Sequence, residues 1–118
     1  MNYKRGEIWM CDLSDKSNGS EQHGKRWCVI VSNNIGNKYA SVVTVAFITS
    51  RDKDRNKSKM QPTHTKIMLH KPSLVLTEQL QTVSKDRLYN YLRKTTDEEM
   101  KEIDKCLNIS LGLEPNYK

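Results

Sequence analysis

Cysteine is scarce in this chain. Cys11, Cys28 and Cys106 are odd in number, far apart in sequence and without a CxxC pair. That pattern excludes a disulfide framework and a zinc ribbon, and it fits reduced thiols in a cytoplasm. Long hydrophobic runs are also missing. No apolar stretch approaches the length needed to cross a bilayer, and the N-terminal MNYKRGEIW lacks the apolar centre of a signal peptide, so a soluble, intracellular, cytoplasmic protein is expected. The three histidines, His23, His64 and His70, form no HExxH or paired-Cys spacing, which argues against a metal site. No glycine-rich loop of the kind that cradles phosphate occurs. No Cys-His or Ser-His constellation can be read from spacing, and Cys28 within CVIV reads as a small buried hydrophobe.

Acidic side chains are the minority charge. Twenty Lys and Arg stand against fourteen Asp and Glu, a net charge of +6 that favours a polyanionic partner such as nucleic acid or an acidic protein segment. Hydrophobic residues make up only 36% and charged residues 29%, so the core must be small and the surface well solvated. Such a chain suits a dimer. Residues 1–118 are the size of one domain.

Short stretches of strand character run over Glu7 to Leu13, Trp27 to Ser32, Val42 to Thr49, Thr63 to Leu69 and Leu74 to Glu78, each bounded by turn residues, with Tyr89 to Leu92 as one more. CVIV and VVTVAFI are nearly continuous β-branched runs, as expected of central strands covered on both faces. SNNIGNKYAS has the Asn and Gly density of a turn. One helix is predicted, starting where Thr96 and Glu99 form a capping-box signature and running to about Leu111. Met100, Ile103, Leu107 and Leu111 fall on one apolar stripe, and Gly112 is placed to end the helix in a left-handed conformation. Many short strands followed by one docked helix predict a mainly β (α+β) domain, a small and strongly curved antiparallel sheet or open barrel.

Two residues at strand ends invite a role. Arg26 lies where the polar loop GSEQHGK meets a central strand, and Thr49 closes another. Taken alone, Arg26 is a salt-bridged strand terminus and Thr49 a β-branched strand residue. The charge-dense RDKDRNKSKMQ is a solvated connection.

The ordered set RGEIWMCDL, GSEQHGKR, FITS, PTHTKI and LTEQLQT, with the helical close, resembles the MazF/PemK family of toxin endoribonucleases over nearly the whole chain. The family pattern is RGDV, GSEQxGxRP, a strand ending in Thr or Ser, PTH and LEQIRT. The resemblance implies an SH3-like, CcdB/PemK-type antiparallel barrel with a C-terminal helix, as a homodimer. It implies sequence-specific, metal-independent cleavage of single-stranded mRNA to 2′,3′-cyclic phosphate and 5′-hydroxyl ends, with no cofactor. It also implies restraint by a MazE-like antitoxin whose acidic, flexible tail covers the RNA groove. The family's catalytic arginine and threonine fall on Arg26 and Thr49. Its RNA-binding positions fall on Gly19, Ser20, Glu21, Gln22, Asn33, Glu78, Gln79 and Thr82.

Two departures from the pattern stand out. Trp27 replaces the proline that follows the catalytic arginine, and the 51–61 loop is longer than expected. Trp27 then packs beneath the polar loop or stacks on a base, with packing favoured. Two other functions stay open at this point: a CcdB-like barrel that poisons gyrase by binding it, and a non-catalytic RNA-binding barrel.

Overall fold

The computed structural model describes residues 2–14, 24–50 and 60–113. These form six strands, two helices and a single 3₁₀ turn. In chain order they are β1 (Glu7–Asp12), β2 (Lys25–Ile30), α1 (Asn34–Tyr39), β3 (Val42–Ser50), β4 (His64–Met68), β5 (Pro72–Ser84), the turn Lys85–Arg87, β6 (Leu88–Lys94) and α2 (Asp97–Ser110). All strand pairs are antiparallel, and the spatial order is β4-β5-β3-β2-β1-β6.

Alternation along the central strands explains the two-sided core. Cys28, Ile30, Val43, Val45 and Phe47 join Trp9, Cys11 and Leu13 on one face. Val29, Ala46 and Ile48 join Ile8, Ile67 and Val75 on the other, where Ile103 and Leu107 of α2 close over them. CVIV and VVTVAFI are thus covered on both sides, which is why they carry no polar alternation. All three cysteines are free and buried.

The sheet is bent by irregular pairing. Ala46 faces Leu80 while the next β3 residue, Phe47, faces Leu76, so Thr77, Glu78 and Gln79 have no partners on β3 and the strand must swing outward there. This continuation carries β5 to Ser84, well past the expected end at Glu78. Thr77, fully buried at the corner, is satisfied by donating its hydroxyl to the Thr63 carbonyl at 2.6 Å. A second irregularity lies between β1 and β6, where Asn90 takes a left-handed φ of 52°. Asn tolerates that region better than most residues.

Two expectations need correction. NIGNKY is a short helix instead of an open turn, because the Asn33 side chain accepts from the Gly36 N–H and buried Asn37 donates to the Ser32 carbonyl. These polar caps leave no apolar periodicity to detect. The helix α2 has the expected capping box, and Gly112 its left-handed φ of +72°. Its apolar stripe nevertheless stops at Leu107: Leu111 is the C-cap residue and 56% exposed, while Cys106 joins the buried face. Among the described residues no helix is long and apolar enough to cross a membrane.

Candidate functional site

The strand β2 begins two residues earlier than the sequence pattern indicates, and this draws Arg26 into the sheet. The last hydrogen-bonded pair of β2 and β3 at this end is Cys28 with Phe47. Continuing that register two residues sets Arg26 level with Thr49, on the same face as Cys28 and Phe47. On its other flank Arg26 is paired with Cys11. Its guanidinium carbon lies 5.5 Å from the centroid of the Phe47 ring, a cation–π contact that fixes the stem of the side chain. Burial among these neighbours lowers the pKa of the guanidinium from its ordinary value. A half-buried arginine remains charged, and in such surroundings its attraction for a phosphate is less screened than at an open surface.

Arg26 and Thr49 share a cavity of about 310 Å³ at the end of the sheet, closed on the far side by Leu69, His70 and Lys71 from the β4–β5 turn. Lys25, Arg26 and Lys71 give it three cations, and no acidic side chain among the described residues lines it. Trp27 forms part of its wall, with its ring centroid 6.0 Å from that of His70 and the planes at 57°.

The other expected site residues are distributed. Glu78 sits in the β5 corner, where it accepts from the Thr63 hydroxyl at 2.9 Å and lies 3.0 Å from His64 Nε2. The Gln61 N–H donates to His64 Nδ1 at 3.3 Å, which leaves the proton on Nε2, directed at Glu78. Burial pushes the Glu78 carboxyl up, but the hydrogen bonds from His64, its own backbone N–H and Thr63 outweigh it and hold the group below its ordinary value. Gln79 is half-buried beside it. Thr82 faces Thr44 across the strands, with the two hydroxyls 2.8 Å apart. Asn33 caps α1 and, with Thr44, borders a second, more open cavity of about 590 Å³ beside α2. Gly19, Ser20, Glu21 and Gln22 lie outside the described residues. The structure therefore brings Arg26 and Thr49 together, keeps Glu78 with Gln79, and sets Asn33 and Thr82 near a different cavity on the α2 side.

Sequence reasoning missed three supporting residues. Phe47 beneath Arg26 looked like ordinary core, and His70 reaches Trp27 only through the β4–β5 turn. His64 shows no metal-ligand spacing, and the PTH motif that contains it is the one sequence signal that points to it. Among the described residues no three His, Cys, Asp or Glu side chains cluster in a way that could hold a metal ion.

A bent antiparallel sheet with one docked helix, carrying a cationic cavity that pairs arginine with threonine, defines a small domain built to meet a phosphate-bearing ligand. The chain belongs to the PemK-like, MazF-like toxins of type II toxin-antitoxin systems, whose pattern it matches over residues 4–111. It is 44% identical over 115 residues to the Endoribonuclease MazF of Staphylococcus saprophyticus, covering 93% of this chain and 92% of that protein. Among solved structures it resembles a mycobacterial endoribonuclease in complex with its cognate antitoxin, at 27% identity and a TM-score of 0.77, covering 94% of this chain and 96% of that one. The fold is shared as well by MazF from Deinococcus radiodurans, with a TM-score of 0.75 at 19% identity over 95% of this chain and 98% of the other.

Proposed function

We propose that this toxin is a sequence-specific endoribonuclease that cuts single-stranded mRNA without a metal, using Arg26 and Thr49. The observation that carries the proposal is the half-buried Arg26 guanidinium sharing with Thr49 a cavity with three cations and no described acid. RNA supplies its own nucleophile. The 2′-hydroxyl oxygen forms a bond to the adjacent phosphorus and gives up its proton, while the P–O5′ bond breaks and O5′ takes one up, leaving a 2′,3′-cyclic phosphate and a 5′-hydroxyl. Charge grows on the non-bridging oxygens as this happens. The planar guanidinium of Arg26 can hold two such oxygens at once, and the Thr49 hydroxyl adds a neutral hydrogen bond. Electrostatic stabilisation is the main role of Arg26. Proton delivery to O5′ is a secondary one.

Glu78, Gln79, Asn33 and Thr82, together with Gly19, Ser20, Glu21 and Gln22, are the residues assigned to RNA binding. Carboxylate and amide groups suit the donor and acceptor edges of unpaired bases better than they suit phosphates. A homodimer is supported by Ile35 and Tyr39, which stand 76% and 77% exposed on α1. A MazE-like antitoxin with an acidic, flexible tail complements the net charge of +6. The site of action is the cytoplasm, where mRNA is found.

The test is to incubate the protein and its Arg26→Ala and Thr49→Ala variants with long single-stranded RNA in EDTA and map the fragment ends. Discrete cuts bearing cyclic phosphate and 5′-hydroxyl, lost in Arg26→Ala and slowed in Thr49→Ala, are expected. Intact RNA with a folded wild type overturns the proposal.

A further inference from the structure

We infer that Trp27 and His70 form a nucleobase platform beside the scissile phosphate, a stacking subsite built from the residue that stands where the family pattern has proline. The inference rests on the endoribonuclease reading above.

The cavity that contains Arg26 and Thr49 is walled by these two rings, and their planes meet at 57° to make a corner. A flat heterocycle can lie on one ring with its edge against the other, the arrangement aromatic groups favour over a face-to-face sandwich. The two tryptophans of the chain differ sharply in access. Trp9 is 6% exposed in the core, whereas Trp27 packs only partly against the α2-side cluster and keeps surface toward the cavity. His70 is exposed at the turn, so its contact with Trp27 serves no core.

Charge and size suit the same ligand. Lys25 and Lys71 flank the rings, and a volume of about 310 Å³ is at the lower end of ligand pockets, roughly 300–1,000 Å³. Cations beside an aromatic wall are the combination that holds single-stranded nucleic acid, with backbone on the cations and bases on the rings. Geometry then orders the contacts. Strand alternation directs Trp27 to the α2 face and Arg26 to the opposite one, while both border the cavity at the strand end. RNA crossing that end leaves its phosphate to Arg26 and Thr49 and turns one neighbouring base onto Trp27.

The experiment begins with the cut site mapped for the wild type. An oligoribonucleotide spanning that site, with a 2′-deoxy sugar at the attacking position so that it binds uncut, is titrated into a Trp9→Phe protein whose one remaining tryptophan is Trp27. Quenching of its fluorescence is expected. In parallel, kcat/KM is measured for wild type, Trp27→Ala, Trp27→Phe and His70→Ala on cleavable substrates with either nucleotide flanking the scissile bond made abasic in turn. Trp27→Ala should lower kcat/KM about five- to a hundredfold, mostly through KM, with Trp27→Phe recovering most of it. For one flanking position the losses from Trp27→Ala and from base removal should not add, because both delete the same contact. A wild type that cuts RNA yet shows no quenching, or losses that are fully additive at both positions, overturns the platform while leaving the nuclease intact. Should Trp27→Ala fail to fold, indifference of the wild type to both abasic substitutions overturns it equally. A folded wild type that cuts no RNA removes both readings together.

Discussion

Arg26 and Thr49 line one cavity at the end of β2 and β3, each two residues beyond Cys28 and Phe47, the last paired residues of those strands. The position leaves both side chains on ordered backbone, yet at the open end of the sheet, where a ligand can reach them. Phe47, one step inward, lies against the guanidinium and the core at once.

Replacement at this pair should separate charge from geometry. Arg26→Lys keeps a cation but loses the planar fork, and cleavage should fall about 10²- to 10³-fold. Thr49→Val preserves shape and removes one neutral hydrogen bond, for an expected loss of about tenfold. Initial rates on one fixed RNA, with circular dichroism to verify folding, check both. A lysine variant within threefold of wild type would refute the bidentate role.

The His64–Glu78 pair predicts a pH effect of definite sign. Hydrogen bonds from His64, the Glu78 backbone and Thr63 hold the Glu78 carboxyl below its ordinary pKa against the upward push of burial. In His64→Ala one donor is gone, so the pKa must rise. Recognition that needs the carboxylate should then weaken at higher pH than in the wild type, moving the acid limb of 1/KM upward, with kcat less affected. An unchanged profile would show that the pair does not serve RNA binding.

Glu99 ties three elements together. It takes Arg93 Nη1 and Nη2 at 2.8 and 3.0 Å and the Thr96 N–H at 2.9 Å, while Arg93 also reaches the Met68 carbonyl. The bond to Arg93 lowers the pKa of the Glu99 carboxyl from its ordinary value. Stability from a depressed carboxylate is present above the unfolded-state pKa and is lost as pH falls through the folded one. Glu99→Gln should therefore cost about 1 kcal/mol near pH 7 and less near pH 3. Urea unfolding at both pH values measures the difference.

Gly6 is held at φ +91°, and a Cβ there would come within 2.9 Å of Thr95 Oγ1. Its N–H donates to the Ile30 carbonyl and its own carbonyl accepts from Thr95, so the backbone has no room to relax. Gly6→Ala should destabilise the domain by about 1–3 kcal/mol, visible as a lower Tm. A Tm within one degree of wild type would contradict this.

The two central strands and α2 were legible because their signals are local. A β-branched run buried on both faces, and a capping box set before a 3.6-residue apolar stripe, state their structure within a dozen residues. Residue order also carried the family pattern, and with it Arg26 and Thr49. Tertiary structure alone decided the rest, since each feature depends on residues far apart in the chain. The corner in β5 exists because β3 and β5 fall out of step at Ala46 and Phe47. Thr63 and His64 meet Glu78 only after β4 and β5 pair, and His70 meets Trp27 only because that hairpin folds back over the end of the sheet. Sequence by itself determined which residues are apolar, where a helix begins and which pattern the chain follows. Which of the polar residues share a cavity was set by strand register and sheet curvature, both products of long-range packing that no local stretch encodes.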